Sequence, residues 1–369
     1  MQKIYKLKKH RMATKEETPM QYVNLGRSGL KVSRLGYGNW VNGLEDEEAQ
    51  KMANALVKLA WDRGVNFFDT AEAYQSGQAE RQLGIALKNL GVPRSDYVVT
   101  TKIFFGNFAE NTNHHNNLGT SRKRLKEGLD RSLKHLQLDY VDVVFCHRYD
   151  EGTPTLETVL AMKDVIAQGK ALYWATSTWP PVRVMEAIFL CDIHGCPRPI
   201  AEQCQYNMFV REEIELNYVE FFQDYGLGTT IWSPLCSGIL TGKYNNGIPK
   251  GSRFDKASQW KGRFYDQYLG TDEVKKATVA KLNGLAEIAK RIGCTQTQLA
   301  LAWTLKIDDV STALLGASRE SQLTENIEAL AFVDKLTPEI LAEIEEILQN
   351  RPHRGIDYRN NLAPLPYRR

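Results

Sequence analysis

The hydrophobic pattern of the chain alternates between two periods from Leu30 onward. Short apolar runs rich in β-branched and aromatic residues are typical of buried strands, and the longer segments between them place apolar residues at helical spacing. Eight strand-then-helix units can be recognised in this way. The predicted strands are Val32–Tyr37, Val65–Asp69, Tyr97–Lys102, Val141–His147, Ala171–Thr176, Ile200–Gln205, Gly228–Ser233 and Val310–Leu315.

The helical segments carry end signals. Gly64 and Gly293 each follow a last turn that contains arginine, and glycine commonly follows a helix C-terminus. Thr337 and Pro338 predict the start of an additional helix that ends near Leu348. The predicted helices of the repeating units are Glu47–Asp62, Ala79–Asn89, Ser121–Leu136, Leu156–Ala167, Pro181–His194, Ile214–Tyr225, Thr278–Arg291 with Gln296–Lys306, and Glu320–Leu330.

This order of elements predicts the α/β class and a (β/α)8 TIM barrel with an N-terminal β-hairpin and an extra C-terminal helix. A doubly wound open sheet is the alternative. We expect a basic, disordered N-terminal segment at 1–20, the barrel at 21–350 and an irregular tail at 351–369.

Composition narrows the class of protein. Of the 369 residues, 43% are hydrophobic and 25% are charged, which fits a globular protein with a sizeable core. The formal net charge of +3 is too small to predict nucleic-acid binding. No apolar run approaches the roughly 20 residues that a membrane span needs, and the N-terminus lacks the apolar stretch of a signal peptide. The six cysteines form no C-x-x-C pair, so we expect a reduced, cytoplasmic protein.

Four polar residues stand at the ends of three neighbouring predicted strands: Asp69 and Tyr74 after the second, Lys102 after the third and His147 after the fourth. Because the carboxyl ends of parallel strands face one rim, these side chains are expected to converge there. Tyrosine has a reference pKa of about 10, and a nearby amine favours its phenolate. We therefore predict that Tyr74 gives a proton to a carbonyl group with help from Lys102. Asp69 would hold the amine, and His147 would hydrogen-bond the substrate oxygen.

Each of these four residues has an ordinary structural interpretation when it is taken alone. Tyr74 would be a surface aromatic, Asp69 a helix N-cap, Lys102 a solvated amine and His147 a packed core residue. Their coincidence at three adjacent strand ends favours a catalytic pocket.

Two long loops interrupt the regular alternation, at Asn107–Gly119 and Gly238–Tyr268. Long loops at this rim are commonly binding elements or lids, so we expect both beside the pocket. The adjacent His114 and His115 lie in the first of them, without carboxylate or cysteine ligands at metal-like spacing. The sequence therefore predicts no metal site.

An anion site is predicted where the eighth strand meets its helix. Gly316, Ser318 and Arg319 form this junction, and a phosphate there would meet free backbone N–H groups, a hydroxyl and a guanidinium. No G-x-G-x-x-G motif opens a helix, so a Rossmann site is not indicated. The arginine favours NADPH over NADH. A plain N-cap with a solvated neighbour is the alternative interpretation of Ser318 and Arg319.

Several longer motifs extend this picture. They are Asn24–Ser33, Phe68–Tyr74, Leu138–Phe145, Trp232–Leu235, Gly242–Tyr244 and Leu314–Ser318. With them the chain resembles the aldo-keto reductases over almost all of Tyr22–Leu348, and it is most similar to the beta subunits of Shaker-type voltage-gated potassium channels. The resemblance implies a (β/α)8 barrel in which hydride passes from NADPH to an aldehyde or ketone. It also implies a catalytic tetrad of Asp69, Tyr74, Lys102 and His147.

The resemblance also implies cofactor contacts. Asp69 is one of the expected cofactor contacts. Asn39 and Trp40 are also expected beside the cofactor, on the substrate side of the pocket. The remaining expected contacts are Ser177 and Gln203 at the nicotinamide amide, Trp232 at its ring, Ser233, Leu235, Ser237, Gly238 and Lys243 along the pyrophosphate, Arg253 with Gly316, Ser318, Arg319 and Gln322 at the phosphate site, and Glu325 and Asn326 at the adenine.

The resemblance leaves more than one function open. An active reductase is the first, and His147 favours it, since the channel subunits generally carry asparagine there. The second is a regulatory beta subunit that binds NADPH, forms a homotetramer and reports redox state to a voltage-gated potassium channel alpha subunit. A third is a scaffold that uses only the outer surface of the barrel. The physiological carbonyl compound is not readable from the sequence.

Overall fold

A computed structural model describes residues 18–41, 47–107, 115–256, 261–353, 355–357 and 363–364. Its strands are β1 Tyr22–Asn24, β2 Lys31–Ser33, β3 Leu35–Gly38, β4 Phe67–Asp69, β5 Val98–Ile103, β6 Val141–Cys146, β7 Ala171–Ser177, β8 Ala201–Gln205, β9 Gly228–Trp232, β10 Thr312–Leu315, β11 Ile356–Asp357 and β12 Ala363–Pro364. Strands β3 to β10 are parallel and form a closed barrel, because β10 pairs with both β9 and β3. The predicted (β/α)8 barrel is therefore confirmed, and the open sheet is excluded.

Helices follow the barrel strands and cover them from outside. The α-helices are α1 Glu47–Asp62, α2 Gln78–Leu90, α3 Arg122–Leu136, α4 Thr155–Ala167, α5 Pro181–Ile193, α6 Arg253–Lys256, α7 Asp266–Leu269, α8 Asp272–Ile292, α9 Gln296–Leu305, α10 Glu320–Ile327 and α11 Pro338–Leu348. The 3-10 segments are Asn39–Val41, Tyr74–Gly77, Arg94–Asp96, Cys236–Thr241 and Glu328–Phe332, and the π-helical segments are Glu213–Asn217, Phe221–Tyr225 and Lys261–Tyr265. The predicted extra C-terminal helix is present as α11.

Two predicted elements differ in the structure. The run Val32–Tyr37 divides between β2, which pairs antiparallel with β1, and β3, which belongs to the barrel. A continuous apolar run does not show that its two halves pair in different sheets. The helix predicted at Ile214–Tyr225 is two π-helical segments, in which the Tyr218 N–H donates to the Glu213 carbonyl at 2.9 Å. Over so short a segment the hydrophobic spacing does not separate these wider turns from an α-helix.

The N-terminal hairpin closes one end of the barrel. Leu25 and Val32 of the hairpin pack with Phe67, Val98 and Val143 of the barrel strands, in a cluster separate from the larger core beneath the helices. The amino ends of these strands are thus filled by apolar side chains.

Some predictions fall on parts of the chain outside the described residues. These parts include 1–17 of the basic N-terminal segment, 108–114 of the first loop, with His114, and 257–260 of the second. In the tail, the short strands β11 and β12 pair antiparallel where the sequence predicts irregular structure. The division into three regions stays a prediction. No helix in the described ranges is long and apolar enough to cross a membrane.

Candidate active site

The inward-facing positions of three adjacent strands change from apolar to polar toward their carboxyl ends. Asp69 follows Phe67 by two residues in β4, and Lys102 follows Val98 by four in β5. Side chains an even number of residues apart in a strand share one face, so both polar groups continue the inward face. His147 stands two residues after the buried aromatic residue of β6 and follows the same rule. This alternation brings three of the four predicted residues to one rim.

The Lys102 amine is the centre of the site. Its Nζ donates to Asp69 Oδ2 at 2.5 Å and to the Thr70 carbonyl at 2.8 Å, and it lies 3.3 Å from the Tyr74 hydroxyl. The lysine side chain is fully buried, and that of Asp69 is 3% exposed. The structure therefore brings the phenol, the amine and the carboxylate of the prediction into direct contact.

The carboxylate of Asp69 is held from both sides. Its Oδ1 accepts the Thr100 hydroxyl at 2.7 Å and the Gln203 side-chain amide at 3.1 Å. The same amide nitrogen donates to the Thr230 hydroxyl at 3.0 Å. With Lys102 on the other oxygen, the carboxylate has little rotational freedom.

A left-handed turn directs the phenol of Tyr74. Gln75, Ser76 and Gly77 have φ values of 49°, 52° and 87°. Three such residues in succession are unusual, since L-residues with a Cβ disfavour this region. At Gly77 a Cβ would also lie 2.8 Å from the Asn107 side-chain amide. The turn is thus a local strain at a candidate active site, which is where such strain concentrates.

Aromatic rings surround the phenol. The Tyr74 ring lies 6.3 Å from Trp40 and 5.9 Å from His147, which stands edge-on to it, and Phe105 stands edge-on to His147 at 5.1 Å. The Arg253 guanidinium lies over the Trp40 ring at 4.8 Å. The surroundings of the phenol are therefore largely aromatic.

Burial controls the protonation of this cluster. It raises the pKa of Tyr74 above its ordinary value of 10.0, and the opposing Lys102 charge does not cancel this, contrary to our expectation of a favoured phenolate. For Lys102, burial lowers the pKa, but Asp69 and Tyr74 raise it more, so it is raised overall. Burial, with Lys102 and Arg148, holds the pKa of His147 well below 6.5. At neutral pH the site thus presents a neutral phenol, an ammonium and a neutral imidazole.

Three cations meet on the second loop and at the end of the barrel. Arg253 and Arg319 lie close enough to Lys243 to lower its pKa, in addition to the effect of burial. The Lys243 amine lies 2.9 Å from where a Cβ on Gly238 would be. Across the described ranges no carboxylate forms an ion pair with any of these three cations. Such a cluster favours a ligand with several negative charges.

The backbone between Ser233 and Gly238 is largely left-handed and lies beside this cluster. Ser233, Cys236, Ser237 and Gly238 have φ values of 57°, 47°, 55° and 91°. The Cys236 and Gly238 N–H groups donate to the Ser233 and Leu235 carbonyls, at 2.9 and 2.8 Å, and the Ser237 N–H donates to the Ser233 hydroxyl at 3.0 Å. The loop is therefore held by its own hydrogen bonds, and Leu235 directly precedes its 3-10 segment. The neighbouring cations fit a cofactor that carries phosphate groups.

The other predicted cofactor residues lie around the same rim. The Ser177 hydroxyl donates to the Gln203 carbonyl at 2.9 Å, and Trp232 is the last residue of β9. Gln322 accepts from the Ser318 N–H and hydroxyl, at 3.0 and 3.1 Å.

Further predicted cofactor residues have structural contacts of their own. Gly316 is exposed, and Asn326 is buried. Glu325 accepts the Thr295 hydroxyl at 2.7 Å. The role of these residues at a cofactor site stays a prediction.

Asn39 has a structural contact that the sequence does not reveal. Its side-chain amide donates to the Ala79 carbonyl at 2.5 Å, which ties the first barrel strand to α2. Its carbonyl oxygen is buried and has no partner among the described atoms. The Asn39 amide group therefore has a structural role, and its carbonyl oxygen is a hydrogen-bond acceptor without a partner among the described atoms.

Comparison with known proteins identifies the family. The family model described as "Aldo/keto reductase family" matches residues 34–349. The chain belongs to the aldo/keto reductase family. A relative from Oryza sativa subsp. japonica is 45% identical over 92% of this chain and all of its own, and one from Arabidopsis thaliana is 44% identical with the same coverage. Both are named "Probable voltage-gated potassium channel subunit beta". The resemblance predicted from the motifs is confirmed.

Two buried contacts in this member of the aldo/keto reductase family, each between an acid and a basic residue, do not follow from the sequence. Arg124 donates to Glu72, which also accepts backbone N–H groups of the β5 loop, and His135 lies 3.0 Å from Glu80. Both acids flank Tyr74 in the chain, and both basic side chains come from α3. The acidic residues are visible in the sequence, but nothing there shows which basic side chains of α3 face inward.

No metal site accompanies this reductase site. Within the described residues, no group of three or more His, Cys, Asp or Glu side chains is arranged to hold a metal ion.

Proposed function

We propose that the protein is an NADPH-dependent aldehyde or ketone reductase in which Tyr74 is the general acid. The observation that carries the proposal is the contact of one buried amine, Lys102, with both the Asp69 carboxylate and the Tyr74 hydroxyl. A carbonyl group that accepts a hydride at carbon needs a proton at oxygen. A neutral phenol beside a fixed cation can supply that proton.

The residues of the site divide this chemistry among them. NADPH supplies the hydride when bound. Tyr74 holds its proton in the resting site, because burial raises its pKa. As the proton moves to the carbonyl oxygen, negative charge develops on the phenol oxygen, 3.3 Å from the Lys102 ammonium, which stabilises it. Neutral His147 can hydrogen-bond the substrate oxygen without adding a charge. The product is an alcohol and the oxidised cofactor.

The three clustered cations support NADPH as the cofactor. A pyrophosphate and a 2′-phosphate together carry more negative charge than the pyrophosphate of NADH alone. Lys243, Arg253 and Arg319 have no carboxylate partner in the described ranges, so an anion would complete the cluster. Arginine pairs with phosphate through two parallel hydrogen bonds, which favours a terminal phosphate at Arg319 or Arg253.

The decisive experiment is Tyr74→Phe. This variant removes the proton donor and keeps the ring, so we expect kcat for 4-nitrobenzaldehyde to fall at least about 100-fold, within the usual range for loss of a general acid. NADPH binding, followed by the change in its fluorescence, should stay within about twofold of the wild type. Full activity in Tyr74→Phe would contradict the assignment of the acid.

A regulatory beta subunit of a voltage-gated potassium channel is the second candidate. The names of the two plant relatives favour it. In that role the chain would bind NADPH, turn over slowly or not at all, and assemble as a cytoplasmic homotetramer with a channel alpha subunit. Multiple turnovers with excess NADPH would favour the enzyme. One turnover followed by retained cofactor, with capture of channel subunits from membranes and a tetrameric mass, would favour the sensor.

A further inference from the structure

The chain leaves the barrel after β7 through a strained residue. Thr178 has a φ of 54°. A β-branched residue in the left-handed region is an outlier, because its Cβ substituents crowd the backbone. Its N–H lies 3.0 Å from the Gln203 carbonyl of the neighbouring strand β8. Surrounding contacts must hold this turn, since strained residues persist only where the structure over-determines them.

A carboxyl group from β8 makes those contacts. Glu202 is fully buried, and it accepts the Thr178 N–H and the Thr176 hydroxyl, the latter at 2.5 Å. The backbone of Trp179 also donates to it. One side chain thus binds three of the four residues at Thr176–Trp179. The residue it does not bind directly is Ser177.

Among the residues that the structure describes, the titratable groups that interact with this carboxyl group include no cation. The titratable groups that interact with it are Cys146 of β6, Cys204 of β8, and Glu213 and Tyr218 of the π-helical region. All of these are neutral or acidic. Burial among them raises the pKa of Glu202 to about 8. The Glu202 carboxyl group is therefore not stabilised by an ion pair. Its role in the structure is to hold the turn through hydrogen bonds.

The turn is connected to the reacting end of the site. The Ser177 hydroxyl donates to the Gln203 carbonyl at 2.9 Å. The Gln203 amide donates to Asp69 at 3.1 Å, and Asp69 binds Lys102. A shift of the turn would therefore move the residues expected at the nicotinamide amide.

We propose that Glu202 is a positioning residue, which fixes the left-handed turn at Thr178 so that Ser177 and Gln203 present their polar groups to the nicotinamide amide. The proposal rests on the proposed NADPH function. It predicts that the effect of Glu202 is confined to the nicotinamide end of the cofactor. The phosphate end, at Lys243 and Arg319, should be unaffected.

The test compares NADPH with 2′-phospho-ADP-ribose, which lacks the nicotinamide, in three variants. Glu202→Leu removes the hydrogen-bond acceptor and keeps a similar side-chain volume. Glu202→Asp shortens the side chain by one methylene and keeps the carboxyl group, and it replaces Glu202→Leu in the test if that variant does not fold. Loss of a buried hydrogen-bond acceptor should weaken NADPH binding about tenfold. The affinity for 2′-phospho-ADP-ribose should change less than twofold. Glu202→Gln should match the wild type, because its amide oxygen can accept from Thr178 and its amide N–H can donate to Thr176.

Asp142→Asn is the matched control. Asp142 is also a buried strand carboxylate that accepts a backbone N–H, from Val99, but it lies near the amino end of β6. We expect Asp142→Asn to lower the melting temperature and to leave the ratio of the NADPH and 2′-phospho-ADP-ribose affinities unchanged. Equal losses of both ligands in Glu202→Asp, or no loss of either, would overturn the proposal. A wild-type protein that binds neither ligand would instead overturn the proposed NADPH function.

Discussion

At the scale of single residues, the site depends on one ion pair and on one uncompensated cluster. Lys102 and Asp69 are opposite charges in direct contact, and both are buried. Lys243, Arg253 and Arg319 are like charges brought together without a carboxylate in the described ranges. The first arrangement is complete by itself. The second has no negative partner in the described ranges, so the two should respond differently to mutation.

Breaking the buried ion pair should separate stability from activity. Lys102→Met leaves Asp69 without its cation, and we expect a loss of about 3 kcal/mol in the free energy of unfolding, because Thr100 and Gln203 still donate to the carboxylate. The double variant Lys102→Met with Asp69→Asn removes the unpaired charge, so it should recover most of that stability in urea unfolding. Its reductase activity should stay low. Recovery of activity together with stability would show that the pair has only a structural role.

Removing one cation of the cluster should show which phosphate group of the cofactor that cation binds. Arg319→Ala should weaken NADPH about 10- to 100-fold, the range for a lost charge-assisted hydrogen bond, and should change NADH much less. Both constants can be measured by fluorescence titration. Arg198→Ala is the control, because Arg198 is half-exposed and pairs with Asp192 away from the site. Equal losses for NADPH and NADH would remove the assignment of Arg319 to the 2′-phosphate.

At the scale of elements, most strands and helices could be predicted from the sequence. Each of them has a single hydrophobic period and packs against a single neighbouring layer. Helix Glu47–Asp62 has the predicted bounds, and the strand that carries Lys102 differs by one residue at each end. The failures have physical reasons. Residues 32–37 serve two sheets, and no local pattern reports which partner a strand finds. The turn after Tyr74 is left-handed at Gln75 and Ser76, where only tertiary contacts can impose that conformation.

The turn at Tyr74 can be tested with two glycines that flank α2. Gly77 and Gly91 both have positive φ, at 87° and 65°, so alanine should strain either one by about 1–2 kcal/mol. They differ in surroundings. A Cβ at Gly77 would lie 2.8 Å from the Asn107 amide, and at Gly91 it would meet nothing within 4 Å. We therefore expect Gly77→Ala to lower kcat about tenfold or more by moving Tyr74, and Gly91→Ala to lower only the melting temperature. Similar kcat values in both variants would contradict a positioning role for the turn.

At the scale of the whole molecule, the barrel explains why short motifs could predict which polar residues meet at one rim. Eight parallel strands place their carboxyl ends on one rim, so Asp69, Lys102 and His147 could be brought together by topology alone. The supporting groups could not be found in this way. Glu202 of β8 reaches the turn that follows β7, and Arg124 reaches Glu72 from a helix. Neither orientation follows from strand order. The same closure buries carboxyl groups far from water, which links the stability of the whole molecule to pH.

That link can be measured at one residue. Burial raises the pKa of Glu202 to about 8 from an ordinary 4.5, so between these values the folded chain keeps a proton that the unfolded chain has lost. Native stability therefore falls as the pH rises from about 5 to 8, and the loss is complete above the folded pKa. Glu202→Gln does not titrate, and its amide can still accept the Thr178 N–H and pair with the Thr176 hydroxyl. Its melting temperature relative to the wild type should rise steadily from pH 5 to 8 and then level off, because every other ionisable group contributes equally to both proteins. A difference that does not change with pH would mean that this carboxyl group is already ionised at pH 5 in the folded protein.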